Sequence, residues 1–136
     1  GSANSVEPGK RPLSSMSPTL VLDPEGRPFM TIGAPGGTRI ITTVAQTISN
    51  VIDHGMTIQQ AILAPRIFRT ETGPMSIEGR VSINAYKKLI EMGHEITVRN
   101  DYDPYFGGVH AVLFNRDIGI LFGGADPRRD GQAVAF

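Results

Sequence analysis

The chain has 136 residues, a length that fits one domain with a real core rather than two. Lys plus Arg and Asp plus Glu both number 13 with no charged block, which argues against nucleic acid or an anionic membrane surface as partner. Cysteine is absent, so disulfides, zinc–thiolate sites and a thiol nucleophile are excluded together, although the compartment is not thereby decided.

Residues 1–16 carry Pro8, Gly9, Pro12 and several serines without periodicity and read as an irregular loop ahead of an α+β body, 17–136. Thr19–Asp23 and Phe29–Ile32 are β-rich segments around Pro24-Glu25-Gly26-Arg27, the pattern of a hairpin. Pro35-Gly36-Gly37 stops the second strand, and from Thr38 the period changes. Ile40, Ile41, Val44, Ala45, Ile48, Val51 and Ile52 recur at three- and four-residue steps, the stripe of a helix that runs toward His54 and ends at Gly55. Thr57 is placed to cap a short helix, Ile58–Leu63, which Pro65 ends. Arg66–Arg69 and Met75–Glu78 are short strand candidates around Thr72-Gly73-Pro74. Ser82 caps a third helix to about Met92, with Ala85, Leu89 and Met92 as its inner face. Glu95–Arg99 alternates as a strand with one wet face. After a loop over Asn100–Gly107, Val109–Phe114 and Ile118–Phe122 form a second hairpin, and a turn at Asp126-Pro127-Arg128 opens the tail. Strands and helices mix without regular alternation, so the fold class is α+β, not a doubly wound parallel sheet. The apolar runs are strand-sized and interrupted, so none is long enough to span a bilayer.

Two places suit chemistry. Ser14 and Ser15, in a loop behind Lys10 and Arg11, are able to donate hydrogen bonds to a carboxylate; the competing reading is a surface loop whose hydroxyls satisfy local backbone. Gly33-Ala34-Pro35-Gly36-Gly37-Thr38 joins a strand to a helix. There, consecutive glycines allow close backbone approach, and free amides at a helix start favour an oxyanion. The competing reading is a tight turn and nothing more. The segment is neither a Walker A loop nor a dinucleotide fingerprint. His54, His94 and His110 are far apart in sequence and form no metal-ligand pattern. Asp101, Asp103 and Asp117 read as turn residues rather than acid/base groups.

The run Pro8-Gly9-Lys10-Arg11-Pro12-Leu13-Ser14-Ser15-Met16-Ser17-Pro18-Thr19 is similar to the signature segment of the gamma-glutamyltransferases (gamma-glutamyltranspeptidases). Gly33-Ala34-Pro35-Gly36-Gly37-Thr38-Arg39-Ile40-Ile41 follows at the family's spacing, and Ala64-Pro65-Arg66 and Asp126-Pro127-Arg128 fit as well. The resemblance covers essentially the whole chain, as the C-terminal part of the small subunit. It implies part of the four-layer αββα sandwich of N-terminal-nucleophile hydrolases, made by a precursor that cleaves itself. It further implies that Ser14 and Ser15 hold the α-carboxylate of a gamma-glutamyl group and that the amides of Gly36 and Gly37 form the oxyanion hole. The partners implied are a gamma-glutamyl small molecule or peptide and the upstream remainder of the same precursor, with no cofactor or metal. A periplasmic or extracellular setting is implied, with a cytoplasmic one left open.

The family's nucleophilic Thr would lie upstream of Lys10, and nothing around Ser2 resembles a cleavage site. The isolated chain is therefore expected to be inactive, and to self-associate through surface its missing layers would cover. A cephalosporin-acylase-like homologue and a non-catalytic module on the same scaffold are the alternatives.

Overall fold

The computed structural model describes residues 3–135; Gly1, Ser2 and Phe136 lie outside the described residues. β1 (Thr19–Leu22) and β2 (Pro28–Gly33) form the first hairpin, antiparallel, with Leu20 opposite Thr31 and Val21 opposite Met30. Asp23 fixes its turn: the carboxylate accepts the backbone N–H groups of Glu25 at 3.1 Å and Arg27 at 2.8 Å. β2 then pairs with β6 (His110–Asn115), and β6 with β7 (Ile120–Ala125), so the first sheet runs β1-β2-β6-β7, antiparallel throughout. The second hairpin is shifted relative to the sequence expectation, because Ile118 belongs to the turn and β7 continues to Ala125.

Two helices cover one face of this sheet. α1 (Ile40–Ile52) and α2 (Ile58–Leu63) pack Ile40, Val44, Val51, Ile58, Ala61 and Ile62 against Met30, Ile32, Val109 and Ala111, a single core. Thr57 caps α2 in a reciprocal capping box with Gln60, as the Thr-x-x-Gln spacing dictates. The buried face of α1 differs from the apolar stripe read from the sequence. Ile41, Ala45 and Ile52 are exposed, while Thr43 and Thr47 are buried. Threonine is affordable there because each hydroxyl has an acceptor: Thr43 Oγ1 donates to Phe106 O at 2.7 Å and Thr47 Oγ1 to Thr43 O at 3.0 Å.

The second sheet has order β3-β4-β5, from Ile67–Phe68, Met75–Glu78 and Ile96–Arg99. β3 and β4 are antiparallel, whereas β4 and β5 are parallel and joined through α3 (Ile83–Glu91). Ser82 caps α3 by accepting the Ala85 N–H, yet none of its residues is buried. Ala85 and Met92 are exposed, against the inner face expected for them; the helix is amphipathic, but the described residues put no layer over its apolar side.

Two glutamines finish strand ends in place of neighbouring strands. Gln46 of α1 accepts the Ile67 N–H at 3.1 Å and donates to Ile67 O at 3.0 Å. Gln59 of α2 does the same for Ala125, at 3.2 and 3.1 Å. A primary amide presents one donor and one acceptor in a plane, the complement of a strand residue, so Ile67 and Ala125 are satisfied at these points without a neighbouring strand.

Candidate active site

β2 ends at Gly33, and the chain turns through Pro35-Gly36-Gly37 into a single 3₁₀ turn, Gly37–Arg39, that leads directly into α1. Gly36 sits at φ 153° and ψ 9°, and Gly37 at φ 59°, conformations that L side chains rarely adopt. Because the turn is irregular and a helix begins here, the first amides have no carbonyl one turn earlier to bond. Among the described residues, the N–H groups of Gly36 and Gly37 donate to nothing. Gly37 is exposed and Gly36 half-buried, so two uncommitted donors stand at the positive end of a 13-residue helix.

Behind this loop lies a second irregular segment, a 3₁₀ turn at Pro104–Phe106 followed by Gly107 and Gly108. Asp103 opens it by accepting the Tyr105 N–H at 2.9 Å, so this aspartate is a turn residue, as the sequence indicated. Gly108 N–H donates to Pro35 O at 3.3 Å and ties the two loops together. Tyr105 is flanked by two guanidinium groups, Arg99 at 3.5 Å and Arg39 at 4.4 Å from the ring centroid.

Beneath the second loop is a buried ionic cluster. Arg66, Glu78, Asp126 and Arg128 are 2, 0, 0 and 3% exposed. Arg66 Nη2 meets Asp126 Oδ2 at 2.6 Å, and Arg128 bridges the acids, Nε to Glu78 Oε1 at 2.6 Å and Nη1 to Asp126 Oδ1 at 3.1 Å. The spare guanidinium hydrogens go to main-chain carbonyls. Arg66 donates to Ile62, Phe106 and Gly107, and Arg128 to Ile62 and Ala64. Asp126 Oδ2 also accepts the Val109 N–H at 2.8 Å. Burial disfavours the Asp126 carboxylate, but the adjacent Arg66 charge and the N–H groups of Val109 and Arg128 outweigh it, holding its pKa below the ordinary value. Burial lowers the Arg66 pKa, and the like charge of Arg128 lowers it further. Burial opposes the charge on Arg128 too, yet its bonds to Glu78 and the charge of Asp126 raise its pKa.

Ser14 and Ser15 lie in the non-repetitive stretch before β1. Ser14 Oγ accepts the Met16 N–H at 3.1 Å, which leaves its own hydrogen free to donate. Ser15 is half-buried, and its carbonyl accepts from Ser17 Oγ at 3.0 Å. Lys10 is not a free cation behind them, since its ammonium pairs with Glu7 at 3.3 Å. A groove of about 830 Å³ opens on the uncovered face of the first sheet, lined by Thr19, Thr31, Pro35, His110 and Val134 among others; neither serine nor either glycine lines it. His94 Nδ1 lies 3.1 Å from Arg69 Nη1, and among the described residues no His, Asp and Glu cluster is arranged to hold a metal. The ionic cluster was not anticipated from the sequence, where Asp126 reads as a turn opener. The available signal was Asp126 and Arg128 directly after Gly123-Gly124-Ala125, charges at the end of an otherwise apolar strand.

Comparison with known proteins defines the class. The gamma-glutamyltranspeptidase family pattern matches residues 1–136. The chain is 38% identical over 136 residues to a glutathione hydrolase proenzyme of Bacillus subtilis (strain 168), covering all of this chain and 22% of the relative. It is 42% identical to an acylase ACY 1 proenzyme of Pseudomonas sp. (strain SE83), again over the whole chain and 23% of the relative. Among solved structures, a mutant gamma-glutamyltranspeptidase of Helicobacter pylori superposes with a TM-score of 0.79 at 42% identity, over 94% of this chain and 68% of that one. The α+β architecture is thus that of the N-terminal-nucleophile hydrolases. The chain belongs to the gamma-glutamyltranspeptidase family, and it spans between a fifth and a quarter of the length of these curated relatives.

Proposed function

We propose that this chain supplies the substrate side of an active site for transfer or hydrolysis of gamma-glutamyl groups. The observation that carries the reading is the pair of uncommitted amides at Gly36 and Gly37, at a helix start, in a chain whose whole length matches the family. Attack of a nucleophilic hydroxyl on a gamma-glutamyl amide carbonyl turns its oxygen into an oxyanion. Two N–H groups aimed at that oxygen favour the tetrahedral state over the flat carbonyl, which is how such donors lower a barrier. Collapse expels the amine and leaves a gamma-glutamyl ester, which water or an acceptor amine then resolves at the same oxyanion site. Ser14 and Ser15 contribute binding, by donating to the α-carboxylate that distinguishes a gamma-glutamyl donor.

The nucleophile of this reading is a Thr exposed by precursor cleavage upstream of the chain, its α-amine the general base. Several relatives are named proenzymes, consistent with a larger precursor. Exposed Leu20, Leu22, Ile120 and Leu121 on the first sheet and exposed Ile41 and Ile52 on α1 are the surface such a precursor would cover. The similarity to an acylase proenzyme favours a second reading, a different acyl donor on the same site. The test is a crystal structure of the full-length mature enzyme carrying a gamma-glutamyl boronate. The tetrahedral oxygen is expected within about 3.1 Å of the Gly36 and Gly37 nitrogens. An oxygen more than about 4 Å from both would overturn the reading, because no hydrogen bond survives that separation. An acyl donor without an α-carboxylate that turns over as well as the gamma-glutamyl one would favour the acylase alternative.

A further inference from the structure

We infer that Gly107 and Gly108 are positioning residues for the Gly36 oxyanion donor, acting through the peptide unit that joins Pro35 to Gly36; this rests on the oxyanion reading above. A peptide unit is planar and trans, so its C=O and N–H point in opposite directions. Whatever fixes Pro35 O on one side of the loop therefore aims the Gly36 N–H on the other. Pro35 O is fixed from behind: it accepts the Gly108 N–H at 3.3 Å. Gly107 closes the remaining space. It sits at φ 78°, and a Cβ built on it would lie well inside contact distance of Pro35 O and 3.5 Å from Gly36 Cα. The fit is mutual, since a Cβ on Gly36 would lie 3.2 Å from Gly107 Cα. Two backbones thus touch with no side chain between them, which only glycines permit.

The support is itself braced. Thr43 Oγ1, buried in α1, donates to Phe106 O at 2.7 Å, and Arg66 Nη1 donates to Gly107 O at 3.2 Å. Asp126 holds the Val109 N–H at 2.8 Å. The side chain of Arg129 lies over Gly108, where a Cβ would come 2.6 Å from the Arg129 Cβ. Residues 106–109 are therefore clamped by α1, by the ionic cluster and by the tail, and are not free to retreat if Gly107 gains a methyl group. The oxyanion loop has to move instead, by roughly 1 Å to restore contact distance, and a misplacement of that size at a reacting centre costs about a hundredfold in rate.

The experiment uses the full-length precursor, with turnover of a gamma-glutamyl anilide counted per mole of mature small subunit. Gly107→Ala is expected to lower kcat about a hundredfold, leave KM within about twofold, and weaken a gamma-glutamyl boronate by the same factor as kcat. Thr43→Val removes the 2.7 Å bond to Phe106 O with little change of shape and is expected to lower kcat about tenfold; Thr43→Ser is expected to restore it. A purely structural role would lower the yield of folded enzyme or raise KM without this parallel between kcat and boronate affinity. Gly107→Ala with kcat within about threefold of wild type overturns the inference, as does equal loss in Thr43→Ser and Thr43→Val. If Gly107→Ala yields no mature subunit, the Thr43 pair decides alone. If the boronate oxygen meets both amides in the wild type and these variants still turn over normally, the positioning role falls while the oxyanion reading stands.

Discussion

Glu78 is the residue at which the ionic cluster is most exposed to a quantitative test. Its two oxygens serve four donors: Arg128 Nε at 2.6 Å and Nη2 at 2.7 Å, Arg80 Nη2 at 2.8 Å, and the Arg66 N–H at 3.2 Å. Glu78→Gln keeps the shape but replaces one oxygen with an NH₂ group, whose hydrogens face guanidinium hydrogens. It also leaves Arg66 and Arg128 to share the single carboxylate of Asp126. Removing one partner of a buried ion pair costs about 3–5 kcal/mol, chiefly because the survivor is left buried and uncompensated. Whole domains are stable by only about 5–15 kcal/mol, so this one change removes a large share. In urea denaturation of the 136-residue chain, with an m-value of about 2 kcal/mol/M, the midpoint should fall by roughly 2 M at fixed protein concentration. Combining Glu78→Met with Arg128→Met removes both charges and leaves Arg66 paired with Asp126. That double variant strips the Ala64 carbonyl of its guanidinium donor and leaves the partly exposed Arg80 without its acid. It should still lose less than Glu78→Gln alone, because an unserved carbonyl costs about 1–3 kcal/mol against about 3–5 kcal/mol for a fully buried uncompensated charge. A shift under about 0.3 M for Glu78→Gln, or a double variant worse than the single, would refute the reasoning.

Acid should act through Asp126. Its folded pKa lies below the ordinary 3.8, so the associated stability is complete above the unfolded value and is lost as pH falls through the folded one. Denaturation midpoints should therefore change little through this group between about pH 5 and 7 in wild type, with the Asp126→Asn difference shrinking only below about pH 4; a difference that shrinks near neutrality would contradict this. Ser14→Ala combined with Ser15→Ala in the full-length enzyme should raise KM for a gamma-glutamyl donor, each lost bond to the carboxylate being worth about 1.5–3 kcal/mol. A donor lacking the α-carboxylate should be nearly insensitive, and equal losses for both donors would mean the serines only support their loop. If the nucleophile is the upstream Thr of the proposed function, the isolated 136-residue chain should release no amine from a gamma-glutamyl anilide, and it should associate through its exposed apolar sheet face. Measurable release, or a monodisperse monomer by light scattering at tens of micromolar without binding of a hydrophobic dye, would count against the respective half.

Local features were legible in the sequence because local physics decides them. Thr57 and Ser82 cap where the spacing placed them, and the β1–β2 hairpin and the strand-to-helix turn at Gly36-Gly37 fall where the period changes. The inward face of α1 was misjudged for a definite reason. Thr43 and Thr47 count as polar in any periodicity, yet each hydroxyl has an acceptor, one of them 63 residues away at Phe106 O. The face assigned to α3 was misjudged for the opposite reason: its pattern is amphipathic, but the described residues bring nothing to cover it. For the candidate site, the strand-to-helix turn at Gly36 and Gly37 was readable and what packs behind it was not. Arg66 and Asp126, Glu78 and Arg128, and Pro35 and Gly107 are joined only by the tertiary fold.

The buried arginines follow from the same requirement that keeps the donor amides free. An apolar residue of similar volume often replaces a buried ion pair without loss, so charge alone gives no reason for Arg66 and Arg128. Their hydrogen-bond acceptors do. Ile62 and Ala64 lie at the C-terminal end of α2, and Phe106 and Gly107 at the end of the 3₁₀ turn; these are the ends where carbonyls lack a partner. A regular strand or helix at those positions would satisfy the carbonyls, but it would also engage the backbone that supports the Gly36-Gly37 loop. Keeping the support irregular leaves several buried carbonyls close together; Thr43 reaches one of them, Phe106 O, and guanidinium, with five N–H groups in one plane against three on Lys, serves the rest from a single side chain each. Two guanidiniums then need two buried carboxylates, which Glu78 and Asp126 provide. The cluster is a consequence of holding an unpaired backbone loop still inside a dry interior. Its arginines are determined by carbonyls first and by ion pairing second.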